Sequence, residues 1–211
     1  MSATPSPASL APGVFVDSDH PAVIEFARIT TYGARTEQER VSSLFAAVRD
    51  KIRYDPYSLV DDRGQYRASA ILETEASWCV PKAVVLAAAA RAAGIPALLG
   101  FSDVRNHLNS PKLLERMGTD LFVFHGWVQM FVGGQWKKAS PAFNAELCTR
   151  FGVEPLEFDG SGRRHMEYVA ERGVYDDLPF DEVMAALRAT YGGLLSAREP
   201  GDSTFQPSKP N

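Results

Sequence analysis

The thiol of Cys79 is the side chain of this sequence best placed to act as a nucleophile. It lies in the stretch ASWCVPKAVVLAAAARAAGIP, whose second half is apolar nearly all round and therefore predicts a buried helix. Unpaired backbone amides and the helix dipole favour negative charge at a helix start, so the pKa of a cysteine there is lowered. We therefore expect Cys79 to be an activated thiol, with Ser77 as the helix N-cap. The alternative is a free cysteine that only fills the core.

His125 is the residue that could serve as a base for this thiol. Of the four histidines it is the one within a strongly apolar segment, LFVFHGWVQMFV, which predicts a strand. Burying an imidazole there costs free energy unless the ring has a partner, and Gly126 beside it lets another group approach closely. The pattern indicates either a catalytic base or a core histidine with satisfied hydrogen bonds. His107, between polar residues, is a further candidate for lining a binding cleft, an exposed loop position being the alternative.

A glycine pair sets the register of the strand that returns past His125. Gly133 and Gly134 predict a two-residue hairpin turn. Continued pairing of the two strands would then place Ser140 and Asn144 diagonally across from His125 on the same face. Either side chain could accept a hydrogen bond from the ring.

Composition and charge exclude several classes of function. The chain has 211 residues, 45% of them hydrophobic and 23% charged, and a formal net charge of -4. This is typical of a globular protein and offers no basic stripe for nucleic acid. The sequence also lacks a glycine-rich phosphate loop and the histidine and cysteine spacings of metal sites. We therefore expect no cofactor, no metal and no nucleic-acid partner.

The sequence contains no signal for export or membrane insertion. The N-terminus lacks the basic and apolar regions of a signal peptide, and the longest apolar stretch, residues 83–90, is far shorter than the roughly 20 residues of a membrane span. Two cysteines, Cys79 and Cys148, fit a reducing compartment, a single bridge between them being the alternative. The sequence thus predicts a cytoplasmic protein with no membrane partner and indicates no particular oligomeric state.

Helices in the first part of the chain and strands in the second would position these residues. Thr36 and Glu39 have the spacing of a capping box at the start of one helix. Helical patterns cover about residues 21–32, 36–52, 79–93 and 180–191. Strand patterns cover residues 97–101, 121–132 and 135–140. Loops are expected between and after the strands, with one helical turn within residues 102–120, and the order predicts an α+β fold.

The ends of the chain differ in composition from the middle. Residues 1–13 and 197–211 are rich in Ser, Pro and other turn-forming residues, and we expect both segments to be flexible. Residues 14–196 are then expected to form a single domain.

Three blocks of the sequence, in order, resemble the transglutaminase-like superfamily, a papain-related fold shared by transglutaminases, bacterial cysteine proteases and peptide N-glycanases. VRDKIRYDPYS resembles the helix and loop ahead of the nucleophile, and WCVPKAVVLAAAARAAGIPALLGF the nucleophile helix. FHGWVQMFVGGQWKKASP resembles the histidine hairpin with its returning strand. The resemblance covers about residues 44–141 and implies a papain-like fold, with the nucleophile helix packed on an antiparallel sheet.

Site residues follow from this resemblance one by one. Cys79 matches the family nucleophile and His125 the family base. The third member is normally an aspartate shortly after the tryptophan of the second hairpin strand, and Ser140 holds that place here. Asn144 is the expected substitute, as an asparagine serves in papain-like enzymes, and Asp159 in the following loop is an alternative.

The activity that the resemblance implies is acyl transfer on a peptide or protein amide. Cys79 would attack the carbonyl, His125 would protonate the departing amine, and water or a second amine would resolve the thioester, water being the expected acceptor. The Cys79 amide would form part of an oxyanion hole, and Trp78 would shield the thiol, line the cleft or simply pack in the core. The alternative is a non-catalytic binding or assembly module, which the replaced aspartate favours and the presence of both Cys79 and His125 opposes.

Overall fold

The computed structural model of the chain describes residues 4–106, 110–158 and 165–196. Its helices are α1 (Pro21–Thr30), α2 (Glu37–Lys51), α3 (Ala68–Ile71), α4 (Cys79–Ala92), α5 (Pro111–Met117), α6 (Ala145–Phe151) and α7 (Phe180–Ser196). Its strands are β1 (Arg53–Tyr54), β2 (Ala76–Ser77), β3 (Ala97–Arg105), β4 (Leu121–Val132), β5 (Gln135–Ala139) and β6 (Glu167–Tyr175). Short 3-10 turns lie at Pro7–Ser9 and Arg63–Tyr66.

The main sheet is antiparallel, with the strand order β5-β4-β3-β6. The short strands β1 and β2 form a separate parallel pair directly before α4. Helices together with an antiparallel sheet confirm the predicted α+β fold.

Helix α4 lies at the centre of the core, between the sheet and the other helices. Its side chains are buried on every side, and it packs against β3 and β4 on one side and against α1, α2 and α3 on the others. Gly126 allows its close approach to β4, because a Cβ atom there would lie 2.8 Å from the Cα atom of Val80. The start of α4 and the middle of β4 are therefore held in direct contact.

Several local predictions are confirmed. Thr36 and Glu39 form a capping box at the start of α2. Gly133 and Gly134 have φ values of +62° and +78°, as a primed hairpin turn requires. Val132 then pairs with Gln135, the register expected from the sequence.

Other elements were missed or misplaced by the sequence patterns. Residues 102–105 were predicted as loop but continue β3. The pattern missed this part of the strand because Ser102 and Asp103 are polar, although both are buried. Strand β6 and helix α6 lie where only loops were predicted. The side chains of β6 are mostly exposed, so its sequence lacks the apolar alternation of a half-buried strand. Helix α5 lies within the long connection expected over residues 102–120. Helix α7 extends past Tyr191, the residue at which the backbone of the helix departs from helical geometry.

The segment before α1 makes defined contacts, although the composition of residues 1–13 predicted flexibility. The Ala11 carbonyl accepts a hydrogen bond from Arg91 of α4 at 2.7 Å, and Ser9 is buried. None of the helices in the described ranges combines the length and the apolar character needed to cross a bilayer.

Candidate active site

Cys79 is the first residue of α4. The N-cap is Trp78, whose backbone is extended and whose side chain makes no capping hydrogen bond. The prediction of Ser77 as the cap is wrong, because Ser77 belongs to β2 and pairs with Tyr54 of β1. Cys79 nevertheless occupies the first turn, as expected, so its thiol lies beside backbone amides that no side chain caps.

Burial decides the protonation of this thiol. Cys79 is 4% exposed, and burial raises the pKa of its thiol to about 11. Hydrogen bonds from the backbone amides of Gly126 and Val80 lower the pKa but offset only part of this effect. The expected lowering of the Cys79 pKa is therefore not found, and the residue is a neutral thiol at rest.

The imidazole of His125 is also neutral. It is 3% exposed on β4, and burial lowers the pKa of the ring to about 4. Its Nε2 atom lies 3.0 Å from the Oγ atom of Ser140. No carboxylate among the described residues forms an ion pair with this ring, so the partner of His125 in this part of the chain is an uncharged hydroxyl.

Asn144 lies elsewhere. Its Oδ1 atom accepts a hydrogen bond from the backbone amide of Tyr54 at 3.1 Å, and the residue precedes the first turn of α6. Strand β5 ends at Ala139, and Pro141 follows shortly after, so the pairing register does not extend to position 144. The structure therefore places Ser140, and not Asn144, at hydrogen-bond distance from His125. The two other candidates, Asp159 and His107, lie outside the described residues.

A bulge in β4 orients His125, and sequence patterns did not indicate it. Phe124 has a φ of +53°, a value rare for a residue with a side chain, and the pairing of β3 with β4 shifts by one residue here. The Phe124 amide donates to the Asp103 carboxylate at 3.2 Å, and Arg172 of β6 pairs with this carboxylate at 2.6 Å. Asp103, the acidic residue of SDVR directly after the predicted strand 97–101, was the signal for this bulge in the sequence.

Cys79 and His125 line the same small cavity. Its volume is about 50 Å³, and its other walls are largely apolar. Trp78 lines it and also packs edge-on against Tyr66, with ring centroids 6.2 Å apart. The cavity wall is completed by Tyr54, Pro56, Leu59, Leu113, Met117, Phe122, Val123, Leu187 and Tyr191.

Helices α5 and α7 cover this cavity. Leu113 and Met117 of α5 and Leu187 and Tyr191 of α7 lie in its wall. The Tyr191 hydroxyl accepts from the Val123 amide at 2.7 Å and donates to the Leu121 carbonyl at 2.6 Å. Both backbone groups belong to β4, so α7 is fastened to the strand that carries the histidine.

Lys82 supports the first turn of α4 from the other side. It is fully buried, and its Nζ atom donates to the backbone carbonyls of Arg49, at 2.8 Å, and Ile52. Burial lowers the pKa of this amine to about 7. The amine thus joins the end of α2 to the nucleophile helix. A lysine within the apolar first half of this helix was the signal in the sequence.

The remaining site predictions concern metals and disulfides. Within the described ranges, no group of three or more His, Cys, Asp or Glu side chains is arranged to hold a metal ion. Cys79 and Cys148 are both free thiols, so the alternative of a bridge between them does not hold in this structure.

A cysteine at the start of a buried helix, beside a histidine on an antiparallel strand, defines a papain-like arrangement. The sequence model described as the transglutaminase-like superfamily matches residues 24–141, more than half of the chain. The protein belongs to this superfamily. Family membership supports a cysteine-dependent hydrolase or acyltransferase.

One solved structure has a similar fold, and a second is more distantly similar. One is a candidate cysteine protease from Cytophaga hutchinsonii, with 16% identity and a TM-score of 0.52, covering 80% of this chain and 46% of that one. The other is a candidate protease from Parabacteroides distasonis, with 17% identity and a TM-score of 0.40, covering 71% of this chain and 27% of that one. This chain thus corresponds to less than half the length of either protein. No curated protein matches the sequence.

Proposed function

We propose that the protein is a cysteine-dependent amide hydrolase or acyltransferase that acts on peptide or protein amides. Cys79 is the nucleophile, His125 the base and Ser140 the group that orients the ring. The observation that carries this proposal is the shared cavity of Cys79 and His125, with the Nε2 atom of the ring directed to Ser140.

We infer a role for each ring nitrogen of His125 from its contact with Ser140. Because Nε2 faces Ser140, Nδ1 is the nitrogen that takes the proton from the Cys79 thiol as sulfur attacks the carbonyl carbon. The same proton then passes to the departing amine, which leaves a thioester on Cys79. Water, deprotonated by His125, resolves the thioester and releases the acid.

The first turn of α4 supplies the electrostatic part of the mechanism. The backbone amide of Cys79 lies at a helix start without a side-chain cap, so it can donate to the oxyanion of the tetrahedral intermediate. The buried surroundings strengthen such a hydrogen bond, because little water competes for it.

A non-catalytic binding module is the second candidate. Two observations favour it: the partner of His125 is a neutral serine, and the cavity around Cys79 is only about 50 Å³ and covered by α5 and α7. An enzyme with this structure must move α5 or α7 to admit an amide, whereas a binding module need not.

Mass spectrometry of a peptide mixture distinguishes these functions. The protein is incubated with a mixture of peptides from a digested protein, which contains amides and free amines. The variant Cys79→Ser serves as the control. New peptide termini would indicate main-chain hydrolysis. Conversion of glutamine to glutamate would indicate side-chain hydrolysis, and new isopeptide links would indicate acyl transfer. If wild-type protein and Cys79→Ser give identical products, the proposed enzyme is rejected and the binding module is favoured.

A further inference from the structure

A second and larger cavity is lined by His125 and Ser140 together. Its volume is about 290 Å³. One wall is aromatic and comes from α2 and from the loops on both sides of α6, through Phe45, Phe143 and Phe158. The catalytic ring proposed above therefore borders two spaces, and the larger one is big enough for a substrate side chain or a small ligand.

Positive charge dominates the polar wall of this cavity. The edge strand β5 contributes two lysines to this wall, Lys137 and Lys138. Among the described residues Lys137 forms no ion pair, whereas Lys138 is paired with Glu171 at 2.9 Å. The acid in the wall, Glu157, is already held by Arg49 at 2.6 Å. Among the described residues of this wall, Lys137 therefore remains without a paired carboxylate.

His165 adds an unsatisfied polar atom to the same wall. Its Nε2 atom lies 2.7 Å from the Glu154 carbonyl oxygen, so this nitrogen carries a proton and donates. Its Nδ1 atom is buried and has no hydrogen-bond partner within the described part of the chain. The ring stacks on Phe143 at 5.9 Å, which fixes its plane. A buried polar atom without a partner calls for a ligand or water. Because Nε2 carries the proton, Nδ1 is an acceptor, and it would receive a hydrogen bond from an N–H group of a ligand.

The reaction places a charge on another ring that lines this cavity. In the proposed mechanism His125 becomes an imidazolium, and its structural partner Ser140 is neutral. We propose that this cavity binds an acidic ligand, whose carboxylate pairs with Lys137 and whose N–H group donates to Nδ1 of His165, and that this carboxylate stabilises the charged form of His125. Its role in catalysis rests on the proposed function, whereas binding itself does not. The substrate class it implies is a peptide that carries an acidic group near the reacting amide.

Titration of the histidine ring signals by nuclear magnetic resonance tests the site. Sodium acetate is added at constant ionic strength, and the neutral isostere acetamide is added to a parallel sample. We expect acetate alone to shift the His165 and His125 signals to saturation. Lys137→Met should weaken acetate binding by about fivefold, since it removes a charge-assisted contact. Lys51→Met is the control, because Lys51 lies over the Phe26 ring outside this cavity.

Two capped tripeptides distinguish the sources of the carboxylate. Acetyl-Gly-Glu-Gly-amide and its Gln analogue are titrated in the same way. Tighter binding of the Glu peptide than of acetate would support an acidic substrate. Equal binding of the two peptides would overturn this substrate class and leave a free carboxylate as the ligand.

The failure of this proposal is separable from the failure of the proposed function. Acetate titration of Cys79→Ala reports the site alone, and saturable binding there supports it whether or not the wild type has activity. Shifts that do not saturate, or that acetamide reproduces, overturn the site without affecting the roles of Cys79 and His125. If acetate binds but leaves the alkylation rate of Cys79 unchanged, the catalytic role of the carboxylate is overturned.

Discussion

At the scale of single residues, the neutral partner of His125 controls the ease of proton transfer. Ser140 accepts or donates one hydrogen bond at Nε2 but contributes no charge. A carboxylate in this place would stabilise the imidazolium far more, because opposite charges at short distance raise the pKa of a histidine.

Ser140→Asp should therefore raise the pKa of His125. An opposite charge within hydrogen-bond distance shifts a pKa by about 1 to 3, so we expect the ring to titrate well above the present value of about 4. The pKa is measured from ring signals by nuclear magnetic resonance, and alkylation of Cys79 at pH 7 should become faster. Ser140→Ala, which has no charge to add, is the control. A pKa that is the same in Ser140→Asp and in the wild type would contradict the assigned contact.

The burial of His125 also makes stability depend on pH. The pKa of the ring is about 4 in the folded state and about 6.5 in an unfolded chain. Between these values only the unfolded state binds the proton, so stability falls as the pH decreases from about 6.5 to 4. We expect this group to remove about 3 kcal/mol over that window. Urea unfolding of the wild type and of His125→Gln at several pH values measures the difference, and parallel curves would contradict it.

At the scale of elements, the contact between α4 and β4 brings the two catalytic candidates together. Gly126 has no room for a side chain, because the nearest atom to a Cβ there belongs to the α4 backbone. Substitution must therefore move the helix or the strand, and no flexible side chain can give way instead.

Gly126→Ala should separate α4 from β4. We expect a loss of about 1–3 kcal/mol in the free energy of unfolding, the usual cost of overpacking, and a changed alkylation rate of Cys79. Gly64→Ala is the matched control, since a Cβ there meets only the Asp62 side chain at 3.4 Å. Calorimetry measures the stability of both variants. An equal effect of the two substitutions would contradict the close contact.

Helix α7 restricts access to the thiol through Tyr191. The hydroxyl satisfies one donor and one acceptor of β4, and Tyr191→Phe leaves both unpaired at a cost of about 1–3 kcal/mol. We expect α7 to open more often and iodoacetamide to alkylate Cys79 faster by roughly tenfold. Arg188→Gln is the control, because Arg188 forms an exposed pair with Asp61. Equal rates in the wild type and in Tyr191→Phe would show that α7 does not limit access.

At the scale of the whole molecule, strongly apolar helices and strands were predictable from the sequence. Segments whose structure depends on contacts distant in sequence were not. The apolar patterns of α4 and β4 and the glycine turn predicted the central elements, since these segments bury side chains wherever they pack. The side chains of strand β6 are mostly exposed, and the buried Asp103 at the polar end of β3 is paired with Arg172. Such elements depend on partners distant in sequence, which a local pattern does not contain.

The proximity of the two central residues of the candidate site was predictable from the sequence, whereas their protonation states were not. Cys79 and His125 were expected to meet and do line one cavity. Their protonation could not be read from sequence, because it depends on α5 and α7, which close the cavity and exclude water. Burial therefore outweighs the helix dipole at Cys79 and raises the pKa of the thiol, where the local argument predicted a decrease.

The most direct test is the rate of Cys79 alkylation by iodoacetamide between pH 5 and pH 10, measured in a Cys148→Ala background. The pKa values of about 4 for His125 and about 11 for Cys79 predict a nearly constant rate across this range when the ring removes the thiol proton. His125→Ala should lose this plateau, and its rate should rise about tenfold per pH unit as free thiolate forms. Identical profiles for the two proteins would contradict the account, because His125 would then not act on Cys79.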